Sequence, residues 1–205
     1  MVLTVPTRLH ATADVDERAT IGDGSSVWHY AQIREGAVLG RDCVIGRGAY
    51  VGPGVTLGDA CKVQNYGLVY EPAALGTGVF IGPGAVLTND LYPRAANPDL
   101  SVKTGDDWDS VGVTVHDGAS IGARAVCVAP VVVGRWALVA AGSVVVDDVP
   151  DFALVAGVPA KQLRWVGRAG VPLEPADGQD RAFRCPQTNE RYVVGADGIL
   201  RQETP

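Results

Sequence analysis

Aromatic residues are scarce in this chain of 205 residues: they make up 6% of it, with three Phe. Globular cores lean on large aliphatic and aromatic side chains, so a core here has to be assembled from smaller pieces. Charge is thin as well, at 20%, and the net charge of −6 with a pI near 5.0 leaves no excess of cations. A nucleic-acid binder carries a basic face, so no nucleic-acid partner is expected. No run of about 18 apolar residues exists to cross a bilayer as a helix. The opening stretch MVLTVPTRLHATADVDERAT has no apolar core of a secretory leader. The expectation is a cytoplasmic protein with no membrane partner. None of Cys43, Cys61, Cys127 and Cys185 stands in C-x-x-C spacing, which argues against a zinc ribbon. The first three read as small buried apolar residues.

What the chain does have is glycine, 26 residues of it, and a period. Stepping by six from Leu9 to Leu87 meets fourteen positions, and every one is Val, Ile or Leu. Two residues before each stands a small residue, as at Ala31, Ala37, Cys43 and Ala49, and Gly often follows the aliphatic, as at Gly40, Gly46 and Gly52. Six is neither the helical period nor simple alternation. It fits a short strand and a tight corner, with Gly relieving the bend. Three units make a triangular coil of 18 residues, and coils stack at about 4.8 Å. The result is an all-β solenoid of hexapeptide repeats. The register lapses after Leu87 and resumes at Val115, a step of 28 that is not a multiple of six. Residues 89–112 are therefore an excursion from a prism of six to seven coils spanning residues 1–149. Beyond it, VPDFALVAGVPAKQLRWVGRAG is expected to form a turn and a short helix. A small strand-bearing tail completes 150–205.

Residues 18 apart share an edge of such a prism. Glu71 and Asn89 should be neighbours on one edge, and His29, Arg47 and Asn65 on another. All five stand two residues after an inward aliphatic, where side chains are expected to face outward. In KVQNYGLVYEP and LTNDLYPRA, polar side chains gather where other corners carry Gly, Asp or Pro. The excursion leaves directly after Asn89. A loop leaving there gives a site its walls, or reaches a neighbouring subunit.

The repeat resembles that of the left-handed β-helix acyltransferases over roughly residues 5–165. The segments SSVWHYAQIREGAVLG, KVQNYGLVYEP, VFIGPGAVLTNDLYPRA and VPDFALVAGVPAKQL are similar to enzymes that N-acetylate 3-amino sugars on UDP or dTDP. These are the UDP-2-acetamido-3-amino-glucuronate and dTDP-3-amino-3,6-dideoxyhexose N-acetyltransferases. The resemblance implies a left-handed parallel β-helix and a homotrimer with acetyl-CoA in grooves between parallel prisms. It also implies a nucleotide-linked amino sugar as acceptor, and no metal. It sets Asn89 beside the reacting amine and thioester; Glu71, its neighbour in the 18-residue column, is the candidate catalytic companion. Gln64, Asn65, Tyr70, Tyr92 and Arg94 are candidate contacts to the sugar nucleotide. Ala123, Ala141, Lys161 and Arg164 are candidate contacts to CoA, the two cations near its phosphates. Many relatives carry a cysteine-rich C-terminal ribbon, where this chain keeps only Cys185.

Two other functions compete. An O-acetyltransferase of the same fold would need a histidine base, and His116, just after the excursion, is the candidate. A non-catalytic solenoid scaffold would have featureless corners throughout. A three-histidine zinc site is not expected, because His10 and His29 are 19 apart, off the 18-residue column, and no H-x-x-x-x-H pair exists.

Overall fold

The computed structural model describes residues 6–176 and 181–203. The six-residue period becomes a series of short strands that form three flat walls of nine, seven and six strands. The first wall begins at Arg8–Leu9 and Ser26–Val27, the second at Asp14–Val15 and Gln32–Ile33, the third at Thr20–Ile21 and Val38–Leu39. Pairing between coils is parallel with an offset of 18, as in Val27 with Ile45 and Val63 with Ile81. Across the excursion the offset grows to 40, Ile81 pairing with Ile121 and Leu87 with Cys127. The prism therefore closes over the extra residues without losing register.

The inward aliphatics of the middle coils are buried, and so are the small residues at the bends, such as Ala31, Ala49 and Ala85. Small side chains at the corners let three walls meet around a narrow core, which is how the chain manages with so little Phe. Cys43, Cys61 and Cys127 occupy bend and wall positions in that core, as expected. Burial pushes the Cys127 thiol up to about 12.

The corners, numbered after the wall they follow, carry a recurring polar rung. At the third corner the column reads Asp23, Arg41, Asp59, Thr77, Asp117, Arg135, Asp151. Asp59 accepts the Arg41 backbone N–H at 2.8 Å, Asp117 that of Thr77 at 2.7 Å, and Asp151 that of Arg135 at 2.7 Å. At the first corner Asn65 accepts the Arg47 N–H at 2.9 Å. In each case the residue just before the donor is a glycine: Gly40, Gly76, Gly134 or Gly46. A Cβ there would collide with the incoming oxygen. A rung thus needs a glycine slot, an N–H beside it and a short polar side chain one coil above.

The two ends differ. At the start of the prism Leu9 is 52% exposed. At the other end the expected short helix is absent. Ala153–Gly157 instead extends the first wall in parallel with Leu138–Val139, and Ala160–Trp165 returns antiparallel to it. The physical reason is alternation: Ala153 and Val155 are buried while Leu154 and Ala156 are half-buried, a strand pattern that also satisfies the wall's open edge. The wall therefore continues past residue 149 and opens a further coil. The tail folds as a four-stranded antiparallel sheet of Glu174–Pro175, Ala182–Arg184, Arg191–Val194 and Leu200–Gln202. Its core of Leu173, Cys185, Tyr192 and Leu200 packs on Phe152 of the prism, with the Phe152 and Tyr192 rings edge-on at 5.5 Å.

Candidate functional site

Val69 pairs with Leu87. Glu71 and Asn89, two residues beyond each, therefore sit one coil apart at the second corner. Neither completes a rung, for two separate reasons. Below Glu71 the slot exists at Gly52, and the carboxylate folds back into it rather than facing outward as expected. The N–H is missing, because the residue after Gly52 is Pro53. Glu71 Oε2 is consequently buried with no hydrogen-bond partner among the described residues. Below Asn89 the slot itself is missing, since Tyr70 stands where a glycine would be. The Asn89 side chain is half-buried and makes no hydrogen bond among the described residues.

The surroundings of this pair come from the wall below and the excursion above. The Tyr50 and Tyr70 rings lie 5.1 Å apart beside Glu71. Burial first, and then the charge of Glu71, push the Tyr50 hydroxyl above its ordinary value. The excursion is tied down at its base: Val111 N–H donates to the Asn89 carbonyl at 3.1 Å, and the Ser110 hydroxyl to the Glu71 carbonyl at 3.4 Å. Asp90 accepts the Tyr92 N–H at 2.9 Å, and Asp107 accepts the Thr104 N–H at 2.8 Å. Two cavities of 280 and 410 Å³ lie in the excursion and share Asp90, Lys103 and Trp108. Tyr92 is 78% exposed, and Arg94, also exposed, donates to the Pro93 carbonyl at 2.9 Å.

Gln64 and Asn65 lie elsewhere, at the first corner. There they line a cavity of 320 Å³ with Trp28, His29, Val44 and Arg47. The Arg47 guanidinium stands over the Tyr30 ring, 5.3 Å from its centroid. Trp28 and His29 are nearly parallel at 6.3 Å. His10 and His29, although 19 apart in sequence, have ring centroids 3.3 Å apart. Adjacent coils are only about 4.8 Å apart, so two outward rings meet even when they are one position out of column.

Burial first, then the neighbouring His10 and Arg47, hold the His29 imidazole below its ordinary value. The folded value thus lies under the unfolded one of about 6.5. Below that pH the unfolded chain takes up the proton first. The stabilisation is complete above it and is lost as pH falls through the folded value. Urea midpoints should decline below about pH 6.5, and less steeply in His29→Asn.

Ala123 and Ala141 stack above Asn65 at the first corner, since Val63, Ile81, Ile121 and Val139 pair in succession. Lys161 and Arg164 lie on the strand Ala160–Trp165. Lys161 Nζ is 3.2 Å from Asp147 Oδ2, with both side chains largely exposed. Arg164 lines a cavity of 530 Å³ with Leu163, Trp165 and Phe183. His116 stands at the third corner, in the column of Gly76 and Gly58, on a different edge from Asn89. One chain thus sets Glu71, Tyr70 and Asn89 at one corner, with Tyr92 and Arg94 in the excursion that leaves it, and Gln64, Asn65, Ala123 and Ala141 at another. Sequence reasoning placed Arg47 on the edge of His29 and Asn65 but did not name it, or Trp28, as a candidate contact beside Gln64. It also passed over Lys103 and Trp108, which lie in the aperiodic excursion and carry no positional signal.

Among the described residues no helix is long and apolar enough to cross a membrane. No group of three or more His, Cys, Asp or Glu among them is placed to hold a metal.

Comparison with known proteins agrees with the repeat. Residues 18–53 match the family of six-repeat bacterial transferase hexapeptides, and residues 112–146 match the hexapeptide repeat of succinyl-transferase. The chain is 44% identical over 95 residues to dTDP-3-amino-3,6-dideoxy-alpha-D-galactopyranose 3-N-acetyltransferase of Aneurinibacillus thermoaerophilus, covering 46% of this chain and 47% of that protein. It is 35% identical over 165 residues to the bifunctional protein GlmU of Alkalilimnicola ehrlichii, covering 78% of this chain and 35% of the relative. The match thus spans less than half the length of either relative. Among solved structures it is similar to the acetyltransferase domain of PglB from Neisseria gonorrhoeae in complex with acetyl coenzyme A. The identity there is 23%, the TM-score 0.49, and the coverage 78% of this chain and 58% of that one.

Proposed function

We propose that this chain is an acetyl-CoA-dependent N-acetyltransferase, and that its acceptor is the amino group, at C3, of a nucleotide-linked sugar. The observation that carries the reading is the second corner. Two polar side chains, Glu71 and Asn89, stand one coil apart with no hydrogen bond to either among the described residues, directly beneath the excursion. A scaffold has no use for them. The similarity to a dTDP-3-amino sugar N-acetyltransferase supports the choice of acceptor.

The chemistry asks little of the protein. The thioester is already activated, and a neutral amine attacks its carbonyl carbon directly. The C–N bond forms, the C–S bond breaks, and the proton lost from nitrogen ends on the CoA sulfur. Alignment and stabilisation of the developing oxyanion remain. An asparagine amide suits both, accepting from the amine through its oxygen and donating through its nitrogen. Glu71 holds the amine or orients that amide.

We further propose a homotrimer. Flat walls cannot enclose a CoA chain, whereas a cleft between two prisms can, and ligand sites favour such junctions. The candidate residues lie on two corners of one chain, so a cleft between chains would unite them. Leu91, Tyr92, Leu100 and Val102 of the excursion are exposed and available to a neighbouring prism. Light scattering should give three times the monomer mass at micromolar concentration.

Lys161 and Arg164 are then the cations near the CoA phosphates. The Lys161–Asp147 pair is exposed, and such pairs hold a side chain weakly. Lys161→Ala should raise the KM for acetyl-CoA about two- to fivefold at low salt, the worth of one screened contact to phosphate, and leave the acceptor KM alone. The reading as a whole is tested by offering UDP- and dTDP-linked 3-amino sugars with acetyl-CoA and following thiol release. Sugar-dependent release is expected, and none with any of them would refute it.

A further inference from the structure

We infer that Pro53 is a positioning residue: by withholding a backbone N–H it leaves the Glu71 carboxylate unclaimed, free to turn to the amino group of the substrate. The part concerning the substrate rests on the reading above; the part concerning the rung does not.

The comparison is internal to the fold. Asp59, Asp117, Asp151 and Asn65 reach across a glycine and are pinned by an N–H at 2.7–2.9 Å. Glu71 reaches across Gly52 in the same way, and at the donor position meets a proline. Swinging a pinned carboxylate outward breaks a charge-assisted bond. Swinging Glu71 outward breaks nothing, and it relieves the buried, partnerless Oε2. Pro83 also occupies a donor position at a corner, but the residue above it is Ala123, so no acid is left unpaired there. Pro53 is therefore a proline set beneath a carboxylate. The swing is short and has somewhere to go, since Asn89 and the base of the excursion lie one coil above.

Pro53→Ala restores the N–H in a turn that accepts Arg, Thr and Asp at the equivalent position of other coils. Two measurements test the inference. In a double-mutant cycle on the urea midpoint, Glu71→Ala should cost more stability in the Pro53→Ala background than in the wild type, because only there does Glu71 hold a rung. In kinetics, Pro53→Ala should raise the acceptor KM about tenfold, the worth of one hydrogen bond to a charged group. The acetyl-CoA KM should not change, and in the Glu71→Ala background, where no side chain is left to pin, the effect on acceptor KM should vanish. Absence of coupling in the cycle overturns the inference, and so does coupling with an unchanged acceptor KM. If the wild-type chain acetylates no amino sugar, the N-acetyltransferase reading falls. The cycle still decides whether Pro53 is what frees Glu71: coupling upholds it and no coupling refutes it.

Discussion

Asn89→Ala should fold and assemble as the wild type does and lose about 10²–10³ in kcat, the range for removing one oxyanion-hole donor. Its stability should hold because the side chain is half-buried, makes no hydrogen bond among the described residues and contributes nothing to the wall. The excursion is anchored through the Asn89 backbone carbonyl, which alanine keeps. The loss should fall on kcat more than on either KM, because the amide acts on charge that develops only in the transition state. Glu71→Gln should cost less, since an amide still accepts a hydrogen bond from the amine. His116→Ala should cost little, as an amine nucleophile needs no imidazole base. A large loss there would instead favour O-acyl transfer. Steady-state kinetics on the three variants separate these outcomes.

Ile81→Ala should cost about 2–5 kcal/mol of stability, the range for truncating a fully buried aliphatic. Ile81 has no exposed surface and lies in the first wall between Val63 and Ile121. Val63, Val79 and Ile121 around it are themselves buried aliphatics held in the core, so little can collapse into the gap. In a solenoid each coil touches only its neighbours. The damage should therefore appear as faster amide exchange in the coils around Ile81, those that carry Asn65 and Asn89, before the rest. Thr77→Ala, on the same coil but at an exposed corner, should change the urea midpoint little, because its backbone N–H to Asp117 survives. Equal losses for the two variants would mean that the core is not organised by coil.

The walls were legible because every inward position from Leu9 to Leu87 is a branched aliphatic, and the excursion because a step of 28 breaks that count. The placing of Glu71 and Asn89 one coil apart on one edge followed from the same arithmetic. The inward turn of Glu71 was not read, although both of its causes, Gly52 and Pro53, stand in the sequence. Column position says which residues are neighbours, and only the rung chemistry says which way a side chain faces. The hairpin at Ala153–Trp165 was missed because a short apolar stretch followed by cations fits a helix end as well as a strand. The wall's unpaired edge decides between them, and that is a tertiary fact. The cavities around Lys103 and Trp108 depend on a chain reversal, seen in the bridge between Ala96 and Val102 and the turn at Thr104–Asp107, which no period announces.

The most direct measurement is the identity of the bond that the protein makes. The wild-type chain would be given acetyl-CoA and the nucleotide-linked amino sugar that releases thiol fastest, and the product examined by proton and carbon NMR. The account predicts one acetyl group, on the amine nitrogen, with an amide proton coupled to the sugar ring and one CoA thiol released per acetyl transferred. An acetyl ester on a sugar hydroxyl, with the amine left free, would contradict it.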